Sequence, residues 1–376
     1  MRVMHVVSTG TRRGAELFVA DLARALDPMG IDQMVTILHG DRAGDVDFGV
    51  ETIALAPGAP TIPGLRLDGG LVRGIREAMR TWKPSVLQAH GGEALKHSIV
   101  AGGRVPVVYR RIGSTSGWGP FSPRRAAHAL FVRRAAHVVC VSDSARREIV
   151  RSFRVPLRRA STIPNAVDLE RIQPTRTPVE VRAELGIATD ARVVLSVGAL
   201  TWEKDPLAQL DIAARIFRHD DNALFVMCGD GPLRAQLETR RLAAGLDRRV
   251  MLLGNRPDVS DLMAAADVLV LASRTEGMPG VLIEAGLMGL PVVAYAIAGV
   301  PEVVIDDRTG RLVTAGDEDG LASVALEVLA DPALRTRLGA EARARCADFD
   351  IRVVAPRYAR LYESLSADSK VATASR

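Results

Sequence analysis

Apolar positions along the chain follow two alternating rhythms. Short aliphatic runs bounded by Gly, Pro or Asp have the length and content of buried strands: "VMHVVS" (3–8), "DQMVTIL" (32–38), "SVLQAH" (85–90), "VPVVYRR" (105–111) and "AHVVCVS" (136–142). Between them lie longer stretches with helical spacing. In "AELFVADLARAL" (15–26), Phe18, Leu22, Ala25 and Leu26 fall on one face. Strand and helix in alternation predict a parallel sheet with helices over both faces.

The rhythm breaks over 169–190, where Pro174, Pro178 and several charges surround one short apolar cluster; this stretch reads as a linker with a small helix. It resumes with "RVVLSVG" (192–198), "ALFVMCG" (223–229), "RVMLLG" (249–254), "DVLVLAS" (267–273) and "PVVAYA" (291–296). The expected fold class is α/β, with two Rossmann-like doubly wound domains, 1–168 and 191–350, facing across a cleft. Residues 351–376 hold a last helical segment, "APRYARLYESL" (355–365), and a polar tail, "SADSKVATASR", whose composition predicts disorder.

Composition narrows the class. A chain of 376 residues, 48% hydrophobic, can bury two cores. Cys140, Cys228 and Cys346 are odd in number and far apart, which argues against a disulfide framework or a structural zinc site and fits a reducing compartment. The opening run is interrupted by His5 and reads as a first strand rather than an export signal. The uncharged stretch 285–301 contains Gly286, Gly289, Pro291 and Gly299, so it reads as a helix end, a turn and a strand rather than a membrane span.

In doubly wound sheets, ligands sit at the carboxyl ends of the strands. Three loops there carry candidate chemistry. "STGTRRGAE" (8–16) sets Gly10 and Gly14 before the first helix, either as a plain turn or as backbone that lets an anion approach. "GALTWEKDP" (198–206) holds Lys204, a point charge suited to phosphate, in a chain whose other lysines are only Lys83, Lys96 and Lys370; a solvated surface lysine is the alternative. "RTEGMPG" (274–280) precedes a helix expected to begin near Pro279 and stop by Gly289. On that helix Glu284 shares a face with Val281 and Met288 and is expected to point inward. Its charge then needs a partner, either a ligand or an Arg or amide of the core. Glu276 looks into the same place from the loop. The segment Gly277, Met278, Pro279, Gly280 and Val281, with its amides and the positive end of the helix dipole, is read as a site for phosphate. An anion cradle flanked by two acceptors suits a nucleotide sugar.

The segment Glu276-Gly-Met-Pro-Gly-Val-Leu-Ile-Glu284, with Gly289-x-Pro291 and Gly299-x-Pro301-Glu302 after it, resembles the E-x7-E signature of retaining GT-B glycosyltransferases of family 4. "RGAE" (13–16), "PNAVD" (164–168), "SVGALTWEKD" (196–205), "CGDGPLRAQLE" (228–238) and "LLGNRPDVSDLMAAADVLVLAS" (252–273) match in family order. The resemblance implies a metal-independent transferase using a UDP- or GDP-linked sugar and no cofactor, with a last helix crossing back to the first domain. It implies Glu284 at the ribose, Glu276 and His90 at the donor sugar, Lys204 with the amides near Gly14 and Gly277 to Val281 at the diphosphate, and Arg256 near the nucleobase. It implies a glycan or lipid-linked acceptor and a cytoplasmic protein active in cell-surface glycan or glycolipid synthesis. The triplets Asp45-Val-Asp47, Asp317-Glu-Asp319 and Asp348-Phe-Asp350 fall outside the candidate loops, so no metal site is expected.

The chain departs from its family at two places. Ala199 stands where an arginine is usual and Arg13 where a glycine is usual, so Arg13 is expected to supply the missing cation to the diphosphate, unless it is a solvated partner of Arg12. Two other classes compete with the transferase: a sugar-nucleotide epimerase of the same architecture, and a nucleic-acid-binding protein suggested by a net charge of +5. Few aromatics and no reading motif argue against nucleic acid. Arginine pairs at 110–111, 124–125, 133–134, 146–147 and 158–159 suggest instead a face that attracts anionic lipid or a phosphorylated acceptor, in peripheral contact with the inner face of the membrane, a solvated surface being the alternative.

Overall fold

The computed structural model describes residues 1–40, 45–58, 60–62, 67–113 and 122–374. Two units emerge: Met1–Ala166 joined by Ile351–Arg376, and Val167–Asp350. Each is built on one parallel sheet.

In the first unit the strand order is Glu51–Ala54, Asp32–His39, Arg2–Thr9, Val86–His90, Val107–Arg111, His137–Cys140, Ala160–Thr162. The central strands are buried along nearly their whole length, because helices cover both faces and leave no solvated side for a polar alternation. From Arg2–Thr9 the chain first builds outward through Asp32–His39, then returns to place Val86–His90 on the other side of the first strand. This reversal is a topological switch point, where helices diverge to opposite faces and leave a crevice at the strands' carboxyl ends.

The second unit repeats the plan in the order Val250–Gly254, Ala223–Cys228, Arg192–Val197, Val268–Leu271, Val292–Tyr295, Arg311–Val313. Its switch point lies between Arg192–Val197 and Val268–Leu271, which pair directly through Val194 opposite Val268. The loops leaving those two strands are the ones that carry Lys204 and Glu276.

The last helix, Ile351–Ala374, belongs to the first unit. Tyr358 and Tyr362 are fully buried with Phe18, Leu22 and Leu26 of the first helix, Gly14–Leu26, which accounts for the apolar face read from that segment. The polar tail departs from expectation: it continues as helix to Ala374, since after Pro356 it contains neither Gly nor Pro to stop it. Residues 375–376 lie outside the described residues.

The stretch 169–190 is likewise more than a linker. It packs into the second unit, with the small helix Pro178–Glu184 opened by a Thr177–Glu180 capping box and anchored by buried Val181. The Arg176 guanidinium donates to Asp261 at 2.9 Å and also pairs with Asp258 and Glu184. The uncharged stretch 285–301 resolves into a helix end, a left-handed Gly289 and the strand Val292–Tyr295; no helix among the described residues is long and apolar enough to cross a membrane. The three cysteines are free and buried.

Candidate functional site

The second unit's switch point gathers Lys204 and Glu276. The loop after Arg192–Val197 lies directly against the loop after Ala223–Cys228, which only glycines permit: a Cβ on Gly229 would sit 2.0 Å from the Gly198 carbonyl oxygen, and one on Gly231 2.6 Å from that of Leu200. The contact is sealed where Leu200 N–H donates to Asp230 O at 3.0 Å. At the loop's end Asp205 adopts a left-handed conformation, caps the helix Pro206–Phe217 through Ala208 N–H, and hands over to Pro206. Gln209 Nε2 donates to the Lys204 carbonyl at 2.7 Å, which holds the lysine backbone over the helix start.

From the neighbouring strand the chain runs through Arg274 to Glu276. Arg274 N–H donates to Glu203 O at 2.8 Å and its Nε lies 2.6 Å from Asp205 Oδ2, so the two loops are tied together. Lys204 Nζ then stands 2.5 Å from Glu276 Oε1, with 26% of the lysine side chain and 8% of the glutamate side chain exposed. The pairing of these two sequence-predicted residues is thus direct.

The helix that follows spans Gly280–Met288, with Pro279 as its N-cap and Gly289 as a left-handed C-cap, as its flanking residues predict. Its orientation corrects one expectation. Leu282, Ile283, Ala285, Gly286 and Leu287 are buried, whereas Val281, Glu284 and Met288 form the half-open strip, so Glu284 does not point into the apolar interior. Most of the helix circumference is apolar, and the one charge occupies the strip that packing leaves open. There Glu284 Oε1 accepts from Arg171 Nη2 at 3.0 Å, with 15% and 17% of the two side chains exposed. Arg171 lies in the presumed linker, 113 residues away, and no local signal marks it as this partner.

Arg256 is engaged differently from the expected role beside a nucleobase. Its guanidinium binds Asp258 at 2.8 and 2.7 Å and Glu184 at 2.9 Å, and these hydrogen bonds raise its pKa further. It therefore ties the loop 254–258 to the small helix Pro178–Glu184.

In the first unit, Arg13 is exposed at the N-cap of Gly14–Leu26 and makes no side-chain capping bond. An added Cβ on Gly14 meets no atom within 4 Å, so packing among the described residues does not demand glycine there. Two turns of chemistry are more tightly built. Glu16 is buried, accepts from Thr9 Oγ1 at 3.2 Å, and has its pKa raised by desolvation. His90 ends its strand at the switch point, is 3% exposed, and lies 3.1 Å through Nε2 from His5 Nδ1. Burial holds the His90 pKa well below its usual value, so the ring is neutral. His5 escaped sequence reasoning, where it registered only as an interruption of an apolar run; a histidine inside a fully buried strand was the available signal.

Known proteins share this architecture and sequence. Residues 179–345 match the family described as "Glycosyl transferases group 1", and residues 12–171 match "Glycosyltransferase Family 4". The chain is 30% identical over 297 residues to the glycogen synthase of Mycobacterium tuberculosis, covering 75% of this chain and 69% of that one. It is also 30% identical over 201 residues to the UDP-Gal:alpha-D-GlcNAc-diphosphoundecaprenol alpha-1,3-galactosyltransferase of Escherichia coli, a match spanning 52% of each and so about half the length of that relative. Among solved structures, Anabaena HepE in complex with UDP-glucose superposes with a TM-score of 0.84 at 22% identity, covering 97% of this chain and 100% of HepE, a likeness of fold. The chain belongs to the GT-B glycosyltransferases, and the epimerase and nucleic-acid readings give way to that family.

Proposed function

We propose that the protein transfers a sugar, with retention of configuration and without a metal, from a UDP- or GDP-linked donor to a hydroxyl of a glycan or lipid-linked acceptor. The observation that carries this reading is the Lys204–Glu276 pair beside the N-terminus of Gly280–Met288. With no donor bound, each neutralises the other. A diphosphate that accepts from the amides at the helix start draws the lysine ammonium to itself, and frees the Glu276 carboxylate to accept from sugar hydroxyls. Glu284, at the middle of that helix, takes the ribose hydroxyls.

The chemistry then follows from charge. The bond between the sugar's anomeric carbon and the diphosphate oxygen breaks, and negative charge grows on the departing nucleoside diphosphate. A preorganised lysine and helix amides stabilise that charge more in the transition state than in the ground state. The acceptor oxygen bonds to the anomeric carbon on the same face, and its proton passes to the leaving phosphate oxygen. The Escherichia coli relative, named for a diphosphoundecaprenol-linked substrate, supports a lipid-linked glycan as acceptor. The test is a thermal-shift panel of nucleoside diphosphates and their sugars with and without EDTA, followed by transfer assays with the sugar that binds. A ligand that binds only the folded state raises the melting temperature by an amount set by its concentration relative to its Kd. No shift with any member, or transfer that EDTA abolishes and Mg²⁺ restores, would overturn the reading or its metal-free form respectively.

A further inference from the structure

A chain of side chains runs across one face of the first unit's sheet, through its switch point. Gln33, His5 and His90 belong to three adjacent strands, and all are buried. Their hydrogen bonds can be assigned from one end. Gln33 Nε2 lies 2.8 Å from the Ala23 carbonyl oxygen, which only accepts, so the amide NH2 faces Ala23 and the amide oxygen faces His5. That oxygen, 3.1 Å from His5 Nε2, only accepts in turn, so His5 carries its proton on Nε2. Burial lowers the His5 pKa to about 4, and the neutral ring therefore has a bare Nδ1. His5 Nδ1 is 3.1 Å from His90 Nε2, and a bare nitrogen accepts, so the His90 proton is on Nε2. What remains is His90 Nδ1: bare, buried, and with no hydrogen-bond partner among the described residues.

We propose that Gln33 and His5 are positioning residues that lock His90 in its Nε2–H tautomer, so that His90 Nδ1 meets its ligand as a hydrogen-bond acceptor only. The consequence is chemical selectivity. A bare imidazole nitrogen takes an alcohol O–H and repels a phosphate or carboxylate oxygen. Placing that alcohol on the donor sugar rests on the transferase reading above; the tautomer itself does not. Surroundings support the lock. Arg110, in the next strand and opposite His90 in register, stacks over the Phe18 ring at 3.5 Å and donates to Asn165 Oδ1 at 2.7 Å. Its fixed positive charge disfavours a second proton on His90.

Long-range ¹H–¹⁵N spectra of the full chain labelled at its seven histidines read the tautomers directly, with His90 assigned by its loss in His90→Asn. The wild type is expected to show His5 and His90 each as a single Nε2–H form. Gln33→Leu removes the first acceptor, and His90 should become a mixture of tautomers while kcat/KM for donor falls roughly two- to tenfold, the worth of one neutral hydrogen bond. A wild-type His90 protonated on Nδ1 overturns the proposal even where Gln33→Leu fails to fold, as does an unmixed tautomer in a folded Gln33→Leu. Titration separates the two layers of the argument. A nucleoside diphosphate alone should leave the His90 Nδ1 resonance in place and its sugar conjugate should move it. A correct tautomer that no nucleotide sugar perturbs sinks the donor-sugar contact and leaves the lock standing.

Discussion

Glu276 and Glu284 differ in what holds them, and this separates their expected mutant phenotypes. Glu276 is almost wholly buried on Lys204, while Glu284 lies in a half-open strip on Arg171. Glu284→Gln keeps the shape and removes the charge, so it should weaken donor binding by about 1–3 kcal/mol with little change in turnover. If Glu276 orients the donor-sugar hydroxyls, Glu276→Gln should act mainly on kcat, because those hydroxyls belong to the reacting group. Titration calorimetry beside steady-state kinetics checks the split, and wild-type behaviour in both variants would remove these residues from the site. Arg13→Ala should lower turnover about tenfold if Arg13 stands in for the arginine absent at Ala199, and Ala199→Arg should recover part of it in the double mutant. The two glutamates and Lys204 were legible because each occupies a strand-to-helix loop or the helix just after it. Arg171, His5 and Gln33 were not, since their roles arise from partners distant in sequence that only the folded sheet brings near.

At the scale of elements, the helix Gly280–Met288 owes its position to backbone packing against Pro332–Cys346. A Cβ on Gly286 would lie 2.4 Å from Cys346 Sγ, and one on Gly339 2.1 Å from the Gly289 carbonyl oxygen. Arg343 closes the junction by donating to the carbonyls of Leu287 and Met288 at 3.1 and 2.7 Å, where the helix dipole is negative. Gly339→Ala therefore forces the two helices apart and should destabilise by about 1–3 kcal/mol, with turnover reduced as well if the helix start, which moves with it, serves the diphosphate. Denaturation midpoints and kcat measured together decide this, and an unchanged midpoint would show that the crossing relaxes freely. The start and stop of Gly280–Met288 were readable from Pro279 and Gly289. The edge strands Glu51–Ala54, Ala160–Thr162 and Arg311–Val313 were not, because three or four residues of mixed polarity carry no period. The stretch 169–190 looked like a linker because ion pairs rather than an apolar stripe hold most of it to its unit.

Over the whole molecule, charge is distributed less simply than the arginine pairs suggest. Arg110 and Arg111 are buried, and Arg111 pairs with Glu148 at 2.6 Å, so this pair offers nothing to a surface. Arg124, Arg133, Arg134, Arg147, Arg151, Arg154 and Arg158 remain exposed, together with Leu130 at 52% and Leu157 at 65%. If these groups meet a membrane, flotation should recover the protein with anionic vesicles and not with neutral ones, and equal recovery with both would count against it. The histidines give a prediction about acid stability that is confined to one unit. His5, His90, His97, His128 and His137 all lie in the first unit, and burial lowers the pKa of each, His5 and His128 to about 4. Above the unfolded value near 6.5 both states are neutral and nothing is lost. Below it the unfolded chain binds protons that the fold refuses, so stability falls from about pH 6.5 toward pH 4. For His5 alone the loss is about 1.4 kcal/mol one pH unit below the unfolded value. The buried Glu16, whose pKa is raised, works in the opposite direction and offsets part of this near the acid end. Hydrogen exchange at about pH 7.5 and pH 5.5, corrected for intrinsic rates, should show protection dropping in Arg2–Thr9 and Val86–His90 while Arg192–Val197 and Val268–Leu271 hold theirs. Equal loss in the two sheets, or none in the first, would mean that these histidines are not kept neutral by the fold.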